Sequence, residues 1–169
     1  MEYLLSRLIG YVAENMPELS LVDEDYGQLA NLDKEDEDMY PLTFPAVLIE
    51  PSEVRWEYLR GKHQKGEATL RVRLIVDCYD DTHAESGTTY RIIERELLRH
   101  RLHSLLQGYR PLEDGQLMRT QSSFFTFNHG IKVYESTYTC TVTELIEGRG
   151  VSIETPPQLS LTMGVLGQP

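Results

Sequence analysis

Positive charge is scarce in this chain of 169 residues, which has 16 Lys and Arg against 27 Asp and Glu and a formal net charge of −11. Nucleic-acid affinity comes largely from Lys and Arg side chains that displace counterions from phosphates, so the composition opposes sequence-specific nucleic-acid binding. Most of the imbalance is local. The stretch over about residues 22–40 is crowded with carboxylates, and we expect it to form an exposed acidic loop.

Long apolar runs are also missing. No segment approaches the roughly 20 apolar residues needed to span a bilayer, and no basic-then-apolar signal follows Met1. We therefore expect a protein that is made and kept in a cytoplasm, without a membrane partner.

Motifs for catalysis and cofactor binding are absent from the sequence. No GxxxxGK[ST] or GxGxxG loop occurs, and Cys78 and Cys140 are too few for a zinc pattern or a disulfide framework. We interpret both cysteines as reduced core thiols. His100 and His103 have a spacing that can chelate a metal, but no ligand-rich partners lie nearby in sequence, which favours a solvated helix face. We predict no enzyme, no cofactor and no metal site.

The length predicts one domain over residues 1–147, followed by an extended C-terminal arm over residues 148–169. Pro156, Pro157 and several glycines break regular structure in the arm. Leu159 and Leu161 are among the apolar side chains that make it unsuited to be a plain spacer, which indicates an arm that docks to another surface.

Two amphipathic helices are predicted. The first has apolar residues at helical spacing from residue 3 to residue 16, and Pro17 limits its continuation. The second begins between Thr82 and Thr89, which offer capping hydroxyls, and runs to about Gln107 before Gly108. Its arginines, Arg95 among them, are assigned mostly to the faces that do not meet the core. Its predicted core stripe consists of Ile93, Leu97, Leu98, Leu102, Leu105 and Leu106.

Alternating apolar and polar residues predict the first strands. An apolar run over residues 44–49 is followed by alternation over residues 54–58 and 68–78. The basic, glycine-bounded segment over residues 61–66 predicts a hairpin connector between the last two.

A second hairpin is predicted from arms over Met118–Phe127 and Ile131–Leu145 around a turn at Asn128 to Gly130. In the second arm, the apolar side chains of Tyr134, Tyr138, Cys140 and Val142 alternate onto one face, but Ile131 and Val133 fall on the opposite face. This predicts either a bulge or a strand that is covered on both faces. The order of elements predicts an α+β fold, with a mostly antiparallel sheet of about five strands and two helices packed on one face.

Phe124 and Phe125 are neighbours on a predicted strand. Because adjacent strand residues point to opposite faces, one of the two should be buried against something other than the main core, such as a partner subunit or a covering helix.

Five features together form a recognisable layout over roughly residues 1–145, none of them a catalytic motif. They are the N-terminal helix, the run Phe44-Pro45-Ala46-Val47-Leu48-Ile49, the charged hairpin around Gly61 to Gly66, the strand Leu70 to Tyr79 leading through Asp80 into a helix that ends Leu105-Leu106-Gln107-Gly108, and the closing antiparallel pair through Gly130 to Thr143. This layout resembles the small tail-terminator and tail-completion proteins of long-tailed phages and prophages, the lambda-type terminator among them.

The resemblance implies a structural virion protein whose copies form a ring, commonly a hexamer in this family, that caps the tail tube and joins it to the head. The implied partners are further copies of the chain, the tail tube protein and a head-completion protein. They would meet in the cytoplasm of a bacterial host and remain in the virion tail. A ring needs two different complementary surfaces per subunit, and opposite charges on them would guide neighbours together. The predicted interface residues are Lys62, His63, Lys65, Glu35, Asp36, Phe125, Leu159 and Leu161.

Two alternatives stay open. One is another head–tail connector or head-completion protein, which its binding partner would distinguish. The other is a small-molecule-binding or hydrolytic α+β domain, which would be favoured by a deep pocket with polar groups of displaced pKa near His83 or His129.

Overall fold

The structure, a computed structural model, describes residues 1–32, 42–60, 63–113 and 115–145. Over these ranges, two α-helices pack against one face of a five-stranded sheet. This is the predicted α+β architecture. The predicted C-terminal arm lies outside the described residues.

The two helices begin and end close to their predicted bounds. Helix α1 spans Glu2–Asn15, and Pro17 follows it. Helix α2 spans Tyr90–Leu106, with Thr89 at its N-cap position. Gly108 then has a φ of +80°, a left-handed conformation that favours glycine and ends the helix.

The sheet has the strand order β1-β2-β3-β5-β4. Strand β1 runs parallel to β2, and the other neighbours are antiparallel. The strands are β1 Leu21–Glu24, β2 Ala46–Arg60, β3 His63–Asp77, β4 Met118–Phe127 and β5 Ile131–Leu145.

Two predicted strands, over residues 44–49 and 54–58, form the single strand β2. Its pairing with β3 shifts register between Pro51 and Glu53, which explains the break in the alternation. The predicted connector over residues 61–66 is too long, because β3 already begins at His63 and places Lys65 opposite Glu57.

Strand β1 was not predicted as a strand, and it occupies the beginning of the stretch that was expected to be an acidic loop. Val22 pairs with Val47 and Asp23 with Leu48 on β2. A short 3₁₀ turn over Leu29–Asn31 follows. The beginning of the acidic stretch is therefore a strand and a short turn, and not a loop, whereas residues 33–40 lie outside the described residues.

The sheet is buried on both faces, although to different extents. The main core lies between the sheet and the two helices. On the opposite face, Leu29 and Leu42 cover a smaller cluster that includes Ile75, Ile131 and Val133. The β3–β5 register is continuous through these residues. Of the two predicted explanations for the parity of Ile131 and Val133, a strand covered on both faces is therefore the correct one.

The core stripe of α2 is rotated from the predicted one. Leu102 and Leu106 are buried as expected, but Ile93 is 61% exposed and Leu97 is 62% exposed. Arg95 is buried instead, with 8% exposure. It lies two helical turns before Leu102 and therefore on the same face, whereas Ile93 and Leu97 point away from the sheet. The prediction that placed Ile93 and Leu97 in the core and Arg95 on another face was wrong.

Candidate interaction surface

Strand β4 forms one edge of the sheet, and no other strand of the described residues pairs with its outer side. A register shift between Arg119 and Gln121 disturbs its beginning, but its pairing with β5 then runs unbroken to Phe127. The stretch Gln121–Phe127 contains no charged residue and no proline. A regular strand edge with unpaired N–H and C=O groups and no such protection is a template for pairing with another chain.

Strand β1 and the free part of β2, which form the opposite side of the sheet, carry features that oppose such pairing. Strand β1 is short and carries Asp23 and Glu24. Beyond the part of β2 that pairs with β1, a proline and a register shift interrupt the strand at Pro51. Charged residues then follow on β2, namely Glu53, Arg55 and Glu57. Short length, charge, proline and bulges are the usual means of blocking an edge, and β4 lacks them after Gln121.

Two phenylalanines flank the open edge on opposite faces of the sheet. Phe124 is opposite Tyr134 of β5 and is 77% exposed. Phe125 is opposite Val133 and is 44% exposed. Neither side chain is buried, and no described helix covers Phe125, so burial of one of them within the chain was a wrong expectation. Burial by a partner subunit stays a prediction.

Helix α2 exposes a second apolar surface. Tyr90, Ile93 and Leu97 lie at three- and four-residue steps on the face that points away from the sheet, and they are 49%, 61% and 62% exposed. We call these three residues the α2 ridge. Because its three side chains share one exposed helix face, the ridge is a candidate contact surface.

The structure separates the predicted interface residues that it describes. His63 and Lys65 are exposed at the beginning of β3, where they pair with Leu145 and Thr143 at the end of β5. Phe125 pairs with Val133 near the start of β5. With a rise of about 3.3 Å per residue, these two ends of β5 are about 40 Å apart. The described residues therefore provide two distinct candidate surfaces.

Five of the predicted interface residues lie outside the described ranges. They are Lys62, Glu35, Asp36, Leu159 and Leu161.

Both thiols have environments that suppress reactivity. Burial raises the pKa of Cys140 to about 11. Burial is also the main cause of the raised pKa of Cys78, which is half-buried. Because the thiolate is the nucleophile, raised pKa values make both residues poor nucleophiles.

A buried tyrosine and a histidine form a polar contact beneath α2. The hydroxyl of Tyr138 lies 3.0 Å from Nδ1 of His103. Burial raises the pKa of Tyr138 to about 12, and burial also lowers the pKa of His103. Tyr138 belongs to the main core, so the contact joins α2 to β5.

Neither metal-binding nor membrane-spanning features occur in the part of the chain that the structure describes. Its His, Cys, Asp and Glu side chains form no group of three that could hold a metal ion. Neither described helix has the length and apolar character needed to cross a bilayer.

Comparison with models of known protein families gave no match, and neither did comparison with curated protein sequences. A proposal for function therefore depends on the fold, the exposed surfaces and the layout of the sequence.

Proposed function

We propose that the chain is a structural subunit that associates through the edge of β4 and acts as a tail-terminator-like protein, capping a phage tail tube or joining the tail to the head. The observation that carries the proposal is the unprotected stretch Gln121–Phe127, flanked by exposed Phe124 and Phe125 on the two faces of the sheet.

Strand addition at β4 would use two kinds of interaction. Main-chain hydrogen bonds would form along the open edge, and side chains of the added strand would lie over the two phenylalanines. Full burial of a Phe side chain contributes about 1.5–3 kcal/mol, so Phe124 and Phe125 would be the main apolar anchors of the contact.

A closed ring requires a second surface on each subunit that differs from the first. The α2 ridge is one candidate, because it is apolar and points away from the sheet. The end of the sheet near His63 and Lys65 is another. The resemblance to tail terminators favours such a ring, and helix α1, the β2–β3 hairpin, helix α2 and the closing β4–β5 pair are consistent with it. Strand β1 is not among the features on which that resemblance depends. A net charge of −11 would also suit a ring through which DNA passes without binding.

Light scattering coupled to size-exclusion chromatography tests self-association directly. The full-length chain should show a mass above that of the monomer, increasing with protein concentration towards a ring. A variant with both Phe124→Lys and Phe125→Lys should remain a monomer, because charges at an edge oppose strand pairing. Tyr3→Lys is the matched control, since Tyr3 is an aromatic residue on α1 with 66% exposure. This control should associate like the wild type.

Two results would contradict the proposal. If the double-lysine variant associates like the wild type, the β4 edge is not the contact. A wild-type chain that stays monomeric at all concentrations and binds no tail tube protein would exclude the terminator role. Binding to a head protein but not to the tube protein would instead identify the chain as another head–tail connector.

A further inference from the structure

A cavity of about 370 Å³ lies between the first half of α2 and the end of β3. Arg95 lines it and is the most deeply buried charged residue of its walls, with 8% exposure. Its Nε is fully buried and has no hydrogen-bond partner. Among the residues that the structure describes, none forms an ion pair with this guanidinium.

An unpaired guanidinium in such a place is energetically costly. Arginine stays charged at any ordinary pH, and a donor of a charged group that is buried without an acceptor destabilises the fold. Of the three carboxylates that line the cavity, those of Asp77, Asp80 and Glu94, none forms an ion pair with Arg95. Asp80 and Glu94 are bound to Arg91 at 3.6 and 2.9 Å, and the side chains of all three are about half exposed.

We propose that this cavity binds a carboxylate group, which pairs with the guanidinium of Arg95. A carboxylate fits the planar fork of arginine and supplies two acceptors for the guanidinium N–H groups that line the cavity. The remaining walls include the apolar side chains of Val76 and Leu98, and the ring of Tyr79 is 76% exposed at the cavity. The ligand is therefore a carboxylate attached to an apolar group.

The charges around the cavity oppose a ligand that carries more than one negative charge. Three carboxylates line it, those of Asp77, Asp80 and Glu94, against the two guanidinium groups of Arg91 and Arg95. A dianion such as phosphate would meet more repulsion than a monocarboxylate. The carboxylate has two possible sources, a free small molecule or an Asp or Glu side chain from a second copy of the chain.

The first experiment is a titration of the full-length wild-type protein with phenylacetate, followed by the NMR signals of arginine Nε–H groups and backbone amides. We expect saturable shifts at the Arg95 Nε–H and at the amides of Val76 and Leu98. Inorganic phosphate at equal ionic strength should produce much smaller shifts. The absence of saturable shifts with phenylacetate, in protein shown to be monomeric, would overturn the proposal.

Arg95→Met and Arg99→Met form a matched pair of variants, because Arg99 lies one turn later on α2 and is paired with Glu96. Arg95→Met should lose the response to phenylacetate and keep or raise the thermal midpoint, since methionine carries no charge that needs a partner. Arg99→Met should keep the response. A larger loss of stability in Arg95→Met than in Arg99→Met would show that groups of the protein already stabilise the guanidinium of Arg95 without a ligand. The proposal would then be wrong.

Light scattering separates the two sources of the carboxylate. If a second copy supplies it, Arg95→Met should lower the associated fraction, and phenylacetate should dissociate the wild-type assembly. If a free compound supplies it, association should be unchanged in Arg95→Met while the titration response is lost. These results do not depend on the β4 edge, which the Phe124 and Phe125 substitutions test separately.

Discussion

The carboxylate of Asp25 and the guanidinium of Arg73 form an ion pair on the second face of the sheet, although they are 48 residues apart in sequence. The Asp25 side chain is only 4% exposed. Glu135 on β5 binds the same guanidinium at 2.9 Å. Burial alone would lower the pKa of Arg73, but the hydrogen bonds and charges of Glu135 and Asp25 outweigh it and raise the pKa. The pair fixes the chain after β1 to the middle of β3.

Loss of this pair should destabilise the protein. Asp25→Ala should lower the free energy of unfolding by about 3 kcal/mol, near the lower end of the usual range for a broken buried pair because Arg73 keeps Glu135. Urea unfolding at neutral pH measures the difference. Glu53→Ala is the control, since the Glu53–Arg55 pair has side-chain exposures of 50% and 79% and should contribute less than about 1 kcal/mol. Equal effects of the two substitutions would contradict the prediction.

Two glycines should respond to alanine in opposite directions. Apart from its chain neighbours and the backbone of its own helix, nothing lies within 4 Å of the position that a Cβ would occupy at Gly10 in α1, so Gly10→Ala should stabilise the helix by about 0.5–1 kcal/mol. At Gly115, a Cβ would lie 2.6 Å from the main-chain nitrogen of Thr141 on β5. Main-chain atoms cannot rotate away, so Gly115→Ala should destabilise the protein by about 1–3 kcal/mol. Thermal unfolding of both variants checks the signs.

His103 should make the protein less stable in mild acid. Burial, followed by the charge of Arg119, lowers the pKa of His103 in the folded chain. In the unfolded chain the pKa of a histidine is about 6.5, so below that pH the unfolded chain binds more protons than the folded chain and unfolding becomes easier. Above that pH, the contribution of His103 to the free energy of unfolding is constant. His103→Gln should reduce the loss of stability between about pH 7 and pH 5, measured by urea unfolding.

The control for this pH dependence is Ser104→Ala, because Ser104 is the exposed neighbour of His103 on α2 and does not titrate in this range. It should retain the wild-type slope. A His103→Gln variant with an unchanged slope would show that His103 does not contribute to it.

Much of the fold could be predicted from the sequence because its signals are local. Thr89 stands at the N-cap position of α2, although its side chain makes no capping hydrogen bond, and Gly108 ends the helix, as its residue type indicates. The turn after β4 has a φ of +40° at Asn128, a residue that tolerates this conformation. The bounds of β4 and β5 were predicted correctly for the same reason.

The features that were missed depend on contacts between distant parts of the chain. Strand β1 is too short to show an alternation and is defined by parallel pairing with β2. Apolar residues occur on opposite sides of α2, so periodicity alone could not show that Arg95 is buried and Leu97 exposed. The uncharged stretch Gln121–Phe127 is visible in the sequence, but its importance appears only once the strand order places β4 at an edge.

The rotation of α2 can be tested with the same substitution at two positions on one helix. Leu102 is 5% exposed and Leu97 is 62% exposed. Leu102→Ala should cost about 2–5 kcal/mol because it creates a cavity in the core. Leu97→Ala should change the free energy of unfolding by no more than about 0.5 kcal/mol. If the α2 ridge is the second surface of a ring, Leu97→Ala should also raise the concentration needed for association in light scattering. A Leu97→Ala variant as unstable as Leu102→Ala would show that Leu97 belongs to the core and that α2 does not expose this ridge.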